Sequence, residues 1–198
     1  MIDFKAYILQ LQDALREGNA TEHTHRPFLK GLLEGIHKDL RATNEPSRIE
    51  CGAPDYVVTR SSLTVGYIEV KDVGRSLNEA EQTEQLQRYR KALPNLILSD
   101  YLQFRWYVDG ELRQEACLAK RQSNGSLKID NAGASQVDQL LTNFLSRAPI
   151  TITEPRDLAE RMARLTHIVR DIIIEAFSIS GLWGLLSKQS MRCMRSTN

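Results

Sequence analysis

Apolar residues recur at helical spacing from the start of the chain. Phe4, Tyr7, Ile8, Leu11 and Leu15 share one face, and Gly18 supplies a stop. A second stripe follows in Phe28, Leu29, Leu32, Leu33, Ile36 and Leu40, with Lys30, Glu34, Lys38 and Asp39 on the other side. Its start has two readings. Thr21 as cap leaves Pro27 inside the helix, whereas Thr24 as cap puts Pro27 in the first turn, where its missing N–H does no harm. From Ile49 the pattern changes to short runs with β-branched residues. Ile49 to Cys51, Tyr56 to Thr59 and Leu63 to Val70 read as strands, the last two separated by a turn at Arg60, Ser61 and Ser62. A helix is predicted from Asn78 to Leu93, with Leu86, Tyr89 and Leu93 as its apolar edge, early glutamates at 79, 81 and 84, and Pro94 ending it.

Leu96 to Leu98 is a short strand. Phe104 to Val108 pairs with Glu111 to Lys120 through the hairpin signal Asp109-Gly110, and a further turn at Asn124-Gly125 leads into Leu127 to Ile129. Two more apolar stripes follow, Val137, Leu140, Leu141, Phe144 and Leu145, then Leu158, Met162, Leu165, Val169 and Ile172, punctuated by Pro149 and Pro155. Fraying is expected after Ser178. Helices, then strands, a helix and more strands make an α/β core and not a bundle. The expected organisation is an α/β domain over residues 1–130 and a helical extension or linker over 131–198 with a frayed tail.

Composition narrows the class. The 198 residues are 41% hydrophobic and 26% charged, ordinary values for a globular chain. No apolar run is long enough for a membrane span, and Met1 to Gln10 contain Asp3 and lack a basic start, so a cytoplasmic protein without a signal peptide is expected. Cys51, Cys117 and Cys193 form no CxxC pair, which fits reduced thiols better than zinc or disulfides. The net charge of +1 is weak for a protein that grips nucleic acid unaided, because phosphate contacts supply most non-specific affinity.

Chemistry concentrates at one strand pair. Asp55 opens the strand Tyr56 to Thr59, in Gly52-Ala53-Pro54-Asp55, and Glu69 and Lys71 lie near the end of the next, in Gly66-Tyr67-Ile68-Glu69-Val70-Lys71. Period-two alternation puts Glu69 and Lys71 on one face, and a hairpin brings Asp55 to the same sheet edge. Carboxylates that hold a magnesium ion, with a lysine beside them, are what phosphodiester hydrolysis needs: charge stabilisation at phosphorus and an activated water. A strand with one solvated face accounts for Glu69 and Lys71 equally well. His23 and His25 diverge on a helix and have no third ligand nearby, so they read as surface histidines. Trp106 and Tyr107 read as packing residues of the hairpin, not a base-stacking platform, and Arg156, Arg161, Arg164 and Arg170 as a solvated or partner-facing helix side.

Pro54-Asp55, Glu69-Val70-Lys71 and the helix after them resemble the PD-(D/E)XK nuclease superfamily, and Gln85 with Tyr89 match the Gln-X-X-X-Tyr helix motif of its RecB-like branch. Thr21-Glu22-His23-Thr24-His25-Arg26-Pro27 and the helix containing Leu32-Leu33-Glu34 look like the N-terminal nuclease domain of single-chain restriction–modification enzymes. This likeness spans residues 1–110 and, more weakly, Leu158 to Ile174. The resemblance implies a restriction-endonuclease-like αβββαβ core with a mixed central sheet, followed by C-terminal helices. It implies a Mg2+-dependent DNA endonuclease, with Mn2+ able to substitute, yielding 5′-phosphate and 3′-hydroxyl ends. Asp55, Glu69 and the Val70 backbone carbonyl would hold the metal, Lys71 would position the water, and Gln85 and Tyr89 would support Lys71 or contact DNA. Glu22 is the candidate for an additional metal contact from the early helix, with Glu34 in reserve. Methyltransferase or helicase domains, in a longer parent chain or a partner, would choose the target. The rival expectation is a catalytically inactive nucleic-acid-binding or docking module of the same fold.

Overall fold

The computed structural model describes residues 2–18, 22–44 and 51–147, together with 159, 162–163, 166–167 and 169–174. Asp3 accepts from the Lys5 and Ala6 amides and starts α1 (Phe4–Arg16). α2 (Glu22–Ile36) begins ahead of Thr24, so Pro27 stands inside the helix. Packing carries that interruption: His25, Arg26 and Leu29 are all buried around it. Thr21, the other candidate cap, lies outside the described residues.

Leu40 does not continue α2. After the turn at 37–39 it enters an unanticipated strand, β1 (Leu40–Asn44), which pairs antiparallel with β2 (Tyr56–Arg60). The spacing from Ile36 to Leu40 fits either element, and the hydrogen-bonding groups of β2 decide it. The strand expected at Ile49 to Cys51 falls mostly outside the described residues; Cys51 itself is in a turn. β2 turns through Ser61 and Ser62, both at positive φ, into β3 (Leu63–Val70), and the pair carries a bulge at Val58/Thr59.

The single helix expected from Asn78 to Leu93 is two. Ser76 caps α3 (Leu77–Glu81) and Thr83 caps α4 (Glu84–Ala92), each through its hydroxyl. β4 (Asn95–Ser99) then runs parallel to β3, and β5 (Gln103–Val108) and β6 (Glu111–Cys117) form the Asp109-Gly110 hairpin. The strand predicted to reach Lys120 breaks at Leu118, whose amide donates to Leu102; β7 (Ala119–Arg121) pairs instead with β8 (Leu127–Ile129).

The main sheet is mixed, in the order β1-β2-β3-β4-β5-β6. One face carries Tyr56, Val58, Ile68, Val70, Ile97 and Phe104 against α1, α2 and α5 (Asn131–Ser146). The opposite face carries Glu69, Arg105 and Tyr107 toward α3 and α4; Arg105 bonds Glu81 and Asn78, and Tyr107 bonds Glu81. This is the α/β core of the restriction-endonuclease-like type that the sequence implied. Its compact unit spans Met1–Thr153, so α5, expected to open the extension, belongs to the core and buries Val137, Leu140, Leu141, Phe144 and Leu145. A second unit spans Glu154–Asn198; in it Arg170 pairs with Asp171 at the surface, while Arg156, Arg161 and Arg164 lie outside the described residues. No helix among the described residues is long and apolar enough to cross a membrane.

β3 is locked against α5 at Gly66. A Cβ there would stand 2.5 Å from Phe144 Cε2 and 2.8 Å from Asn95 Nδ2. That amide donates to the Val65 and Phe144 carbonyls, while Asn95 Oδ1 accepts from Trp106 Nε1 at 2.7 Å. Gly66→Ala is therefore expected to destabilise the domain by about 1–3 kcal/mol, the usual scale of overpacking. A lower urea midpoint with unchanged slope is the expected readout.

Candidate active site

The β2–β3 ladder ends at Tyr56 and Ile68, so the next residues, Asp55 and Glu69, face each other across its end. Pro54 has no N–H with which to continue the ladder. The Asp55 side chain supplies an acceptor there instead: Oδ2 accepts from the Val70 amide at 2.8 Å. Oδ1 accepts from Arg26 Nη2, an ion pair whose side chains are only 6% and 12% exposed. On the other strand Lys71 Nζ donates to Glu69 Oε1 at 2.7 Å.

Glu69 is 3% exposed, which rules out the solvated-face reading for that residue. Its other oxygen, Oε2, is buried with no hydrogen-bond partner. Burial, and after it the charge of Asp55, push its carboxyl up to about 7, against the opposing pull of Lys71. Two carboxylates thus share a nearly dry corner, each held on one oxygen by a cationic side chain.

Tyr89 and Gln85 come to this corner from α4. Tyr89 is buried, its hydroxyl accepts from Gln85 Nε2 at 3.2 Å, and Gln85 itself is exposed. Burial raises the hydroxyl's pKa; the neighbouring Glu69 and Asp55 carboxylates raise it further, while the Gln85 bond works against them. Tyr89 lies over Gly52, where a Cβ would stand 2.9 Å from its hydroxyl; with φ at +125°, Gly52 is the residue that lets the loop into β2 pass beneath the ring. The exit of β3 is fixed too. The Lys71 amide donates to Ser99 O at 2.8 Å, and buried Asp100 accepts from the Gly74, Leu102 and Gln103 amides, tying the loop after β3 to the β4–β5 turn.

α2 contributes two residues that the sequence reading did not place in the site. Arg26 pairs with Asp55, and its carbonyl accepts from the Tyr56 hydroxyl at 2.7 Å. His25, expected at the surface, is buried edge-on against Tyr101, with ring centroids 5.4 Å apart and Nδ1 lacking a partner; His23 is exposed. Burial holds the His25 pKa below its ordinary value, with Asp72 opposing. The signal was present: His25 precedes Leu29 by four and Arg26 precedes Leu33 by seven, both on the buried stripe. Glu34, the reserve ligand, works elsewhere. Its Oε1 accepts from the Ala42 amide at 3.0 Å and pairs with Lys30, pinning β1. Glu22 opens α2, and its side chain lies outside the described residues. Trp106 packs against the core, as expected of a hairpin residue.

Among the described residues no three His, Cys, Asp or Glu side chains gather to form a complete metal cage. The donors present nonetheless suit a hard divalent cation. Mg2+ commonly takes only one or two protein carboxylates and completes its shell with water and substrate phosphate, and here Glu69 Oε2 is an oxygen with no other partner.

No family model and no curated protein matches the chain. Among solved structures it is similar to the cryo-electron microscopy structure of the DrdV–DNA complex. The TM-score is 0.57 at 23% identity, covering 74% of this chain and 14% of that one, so this chain corresponds to a small part of its neighbour's length. What the two share is the fold, a restriction-endonuclease-like α/β core.

Proposed function

We propose that this chain is a divalent-metal-dependent DNA endonuclease domain, the cleavage module of a restriction–modification system. The observation that carries the reading is the buried corner itself: Asp55 and Glu69 face each other, Lys71 lies against one Glu69 oxygen, and the other has no partner. A carboxylate oxygen buried without a donor is costly. A cation there would relieve that cost, which supports the metal-dependent reading. That the similar structure is a DNA complex supports DNA as the substrate.

In this reading Asp55, Glu69 and the Val70 carbonyl would hold Mg2+ or Mn2+. When bound, such a cation supplies Lewis-acid stabilisation of phosphate charge and makes a neighbouring water more acidic. Lys71 would orient the attacking water and favours the ionised form of Glu69. Water adds its hydroxyl to phosphorus as the P–O3′ bond breaks, and its proton ends on the departing 3′ oxygen. Tyr89 and Gln85 wall the site and fix the loop that carries Asp55. With a net charge of +1, target choice is assigned to other domains, of methyltransferase or helicase type, in a longer parent chain or a partner.

The Arg26–Asp55 pair favours a second reading. A guanidinium already neutralises one carboxylate, as it would in an inactive module that keeps the fold for DNA binding or docking. Calorimetry separates the two. The nuclease reading expects Mg2+ binding that disappears in Asp55→Ala and Glu69→Ala proteins, and Mn2+-supported nicking of plasmid DNA by the wild type. Absence of both gives the site to the second reading. In either case DNA binding by this chain is expected to be weak and salt-sensitive, and tight sequence-specific retention in a shift assay would contradict the assignment of target choice to other domains.

A further inference from the structure

The two carboxylates do not offer the same thing to an incoming cation. Glu69 presents Oε2 with no partner. Asp55 presents none: Oδ2 holds the Val70 amide and Oδ1 holds Arg26. The Val70 amide belongs to the backbone of a central strand and cannot withdraw without breaking the sheet. Arg26 can. Its backbone is anchored by the Tyr56 hydroxyl, and only its long side chain needs to swing. Because the guanidinium does not deprotonate, it cannot make room by losing its charge. With a divalent cation held by both carboxylates, Arg26, Lys71 and the cation would set four positive charges against two negative ones.

We propose that Arg26 is a displaceable counter-ion, a positioning residue that holds Asp55 while the site is free of metal and leaves its Oδ1 when a divalent cation binds, thereby setting the site's metal affinity. This rests on the metal-dependent reading above and adds to it. In the metal-free protein Arg26 pairs with Asp55 and Lys71 with Glu69, so each carboxylate in the dry corner has a cationic partner. Glu69 Oε2 would receive a cation first, and Asp55 would then exchange Arg26 for it. Removing Arg26 removes the competitor, and metal should bind more tightly even though a buried contact has been lost.

The test joins calorimetric Mg2+ titration of the wild type, Arg26→Lys and Arg26→Met with nitrogen NMR of the wild-type arginine side chains, neither of which depends on cleavage. In the wild type, the Arg26 guanidinium resonances should shift as Mg2+ is added, with the same midpoint as the heat. Arg26→Met should bind Mg2+ at least about tenfold more tightly, a coupling of ordinary size between two competing ligands, with Arg26→Lys in between. A wild type that binds only weakly beside an Arg26→Met protein that binds well also supports the exchange. Arg26 resonances that stay put while metal binds, or weaker binding by Arg26→Met, overturn it and leave the metal-dependent reading standing. No Mg2+ bound by any of the three overturns both. Should Arg26→Met fail to fold, the wild-type NMR titration decides alone.

Discussion

Lys71→Met protein is expected to cleave plasmid DNA at least about 100-fold more slowly than the wild type, the scale at which a single electrostatic stabiliser is felt. Two losses combine. Lys71 Nζ is the donor to Glu69 Oε1, so its removal leaves both oxygens of a buried carboxylate without a donor and removes the charge that keeps the Glu69 pKa down. The group placed to orient water is lost as well. The two parts separate in the pH profile. Where Lys71 acts by keeping Glu69 ionised, raising the pH or the Mn2+ concentration restores much of the rate; where it acts on water, neither does. A wild-type rate from Lys71→Met at neutral pH would remove Lys71 from the site.

The site was legible where strand geometry alone determines it. Period two put Glu69 and Lys71 together, and the hairpin put Asp55 across from Glu69, with the Ser61-Ser62 turn holding the register. What strand geometry does not report is burial. A wet face suits Glu69 equally well on strand geometry alone, yet it is buried where β3 pairs with parallel β4 and Tyr89 of α4 lies close by. Arg26 and His25 fall on the apolar stripe of α2, yet polar side chains on a stripe are discounted unless a partner is known, and the partners come from β2 and the β4–β5 turn. β1 was missed for a local reason. Leu40-Arg41-Ala42-Thr43-Asn44 has one β-branched residue, and the strand is held by pairing with β2 and by the Glu34 carboxylate, both set by tertiary context. The break between α3 and α4 could have been read. Ser76 and Thr83 are good caps, and the apolar edge of Leu86, Tyr89 and Leu93 begins only after Thr83.

Without divalent cation, the wild type is expected to lose stability as the pH rises from about 5 to about 8, and Glu69→Gln is expected to lose much less. Glu69 titrates near 7 in the folded protein against 4.5 when unperturbed. Below about 4.5 both states hold the proton and the group contributes nothing to the pH dependence. Between the two values the folded protein retains a proton that the unfolded chain releases, so stability falls with pH; above about 7 the folded state must bury the charged carboxylate and the full penalty is present. A difference of that size corresponds to on the order of 3 kcal/mol. The neutral amide of Glu69→Gln keeps the shape and removes the titration. Urea unfolding of both proteins in EDTA at pH 5 and pH 8 measures the effect, and equal pH dependence in the two would mean that Glu69 is not the buried acid described. Adding Mg2+ then reports on the site's purpose. A ligand that binds only the folded state, and prefers the ionised carboxylate, should restore at pH 8 the stability that ionisation removed and do little at pH 5. A penalty at pH 8 that a divalent cation relieves is what distinguishes a carboxylate buried to bind metal from one buried by accident of packing.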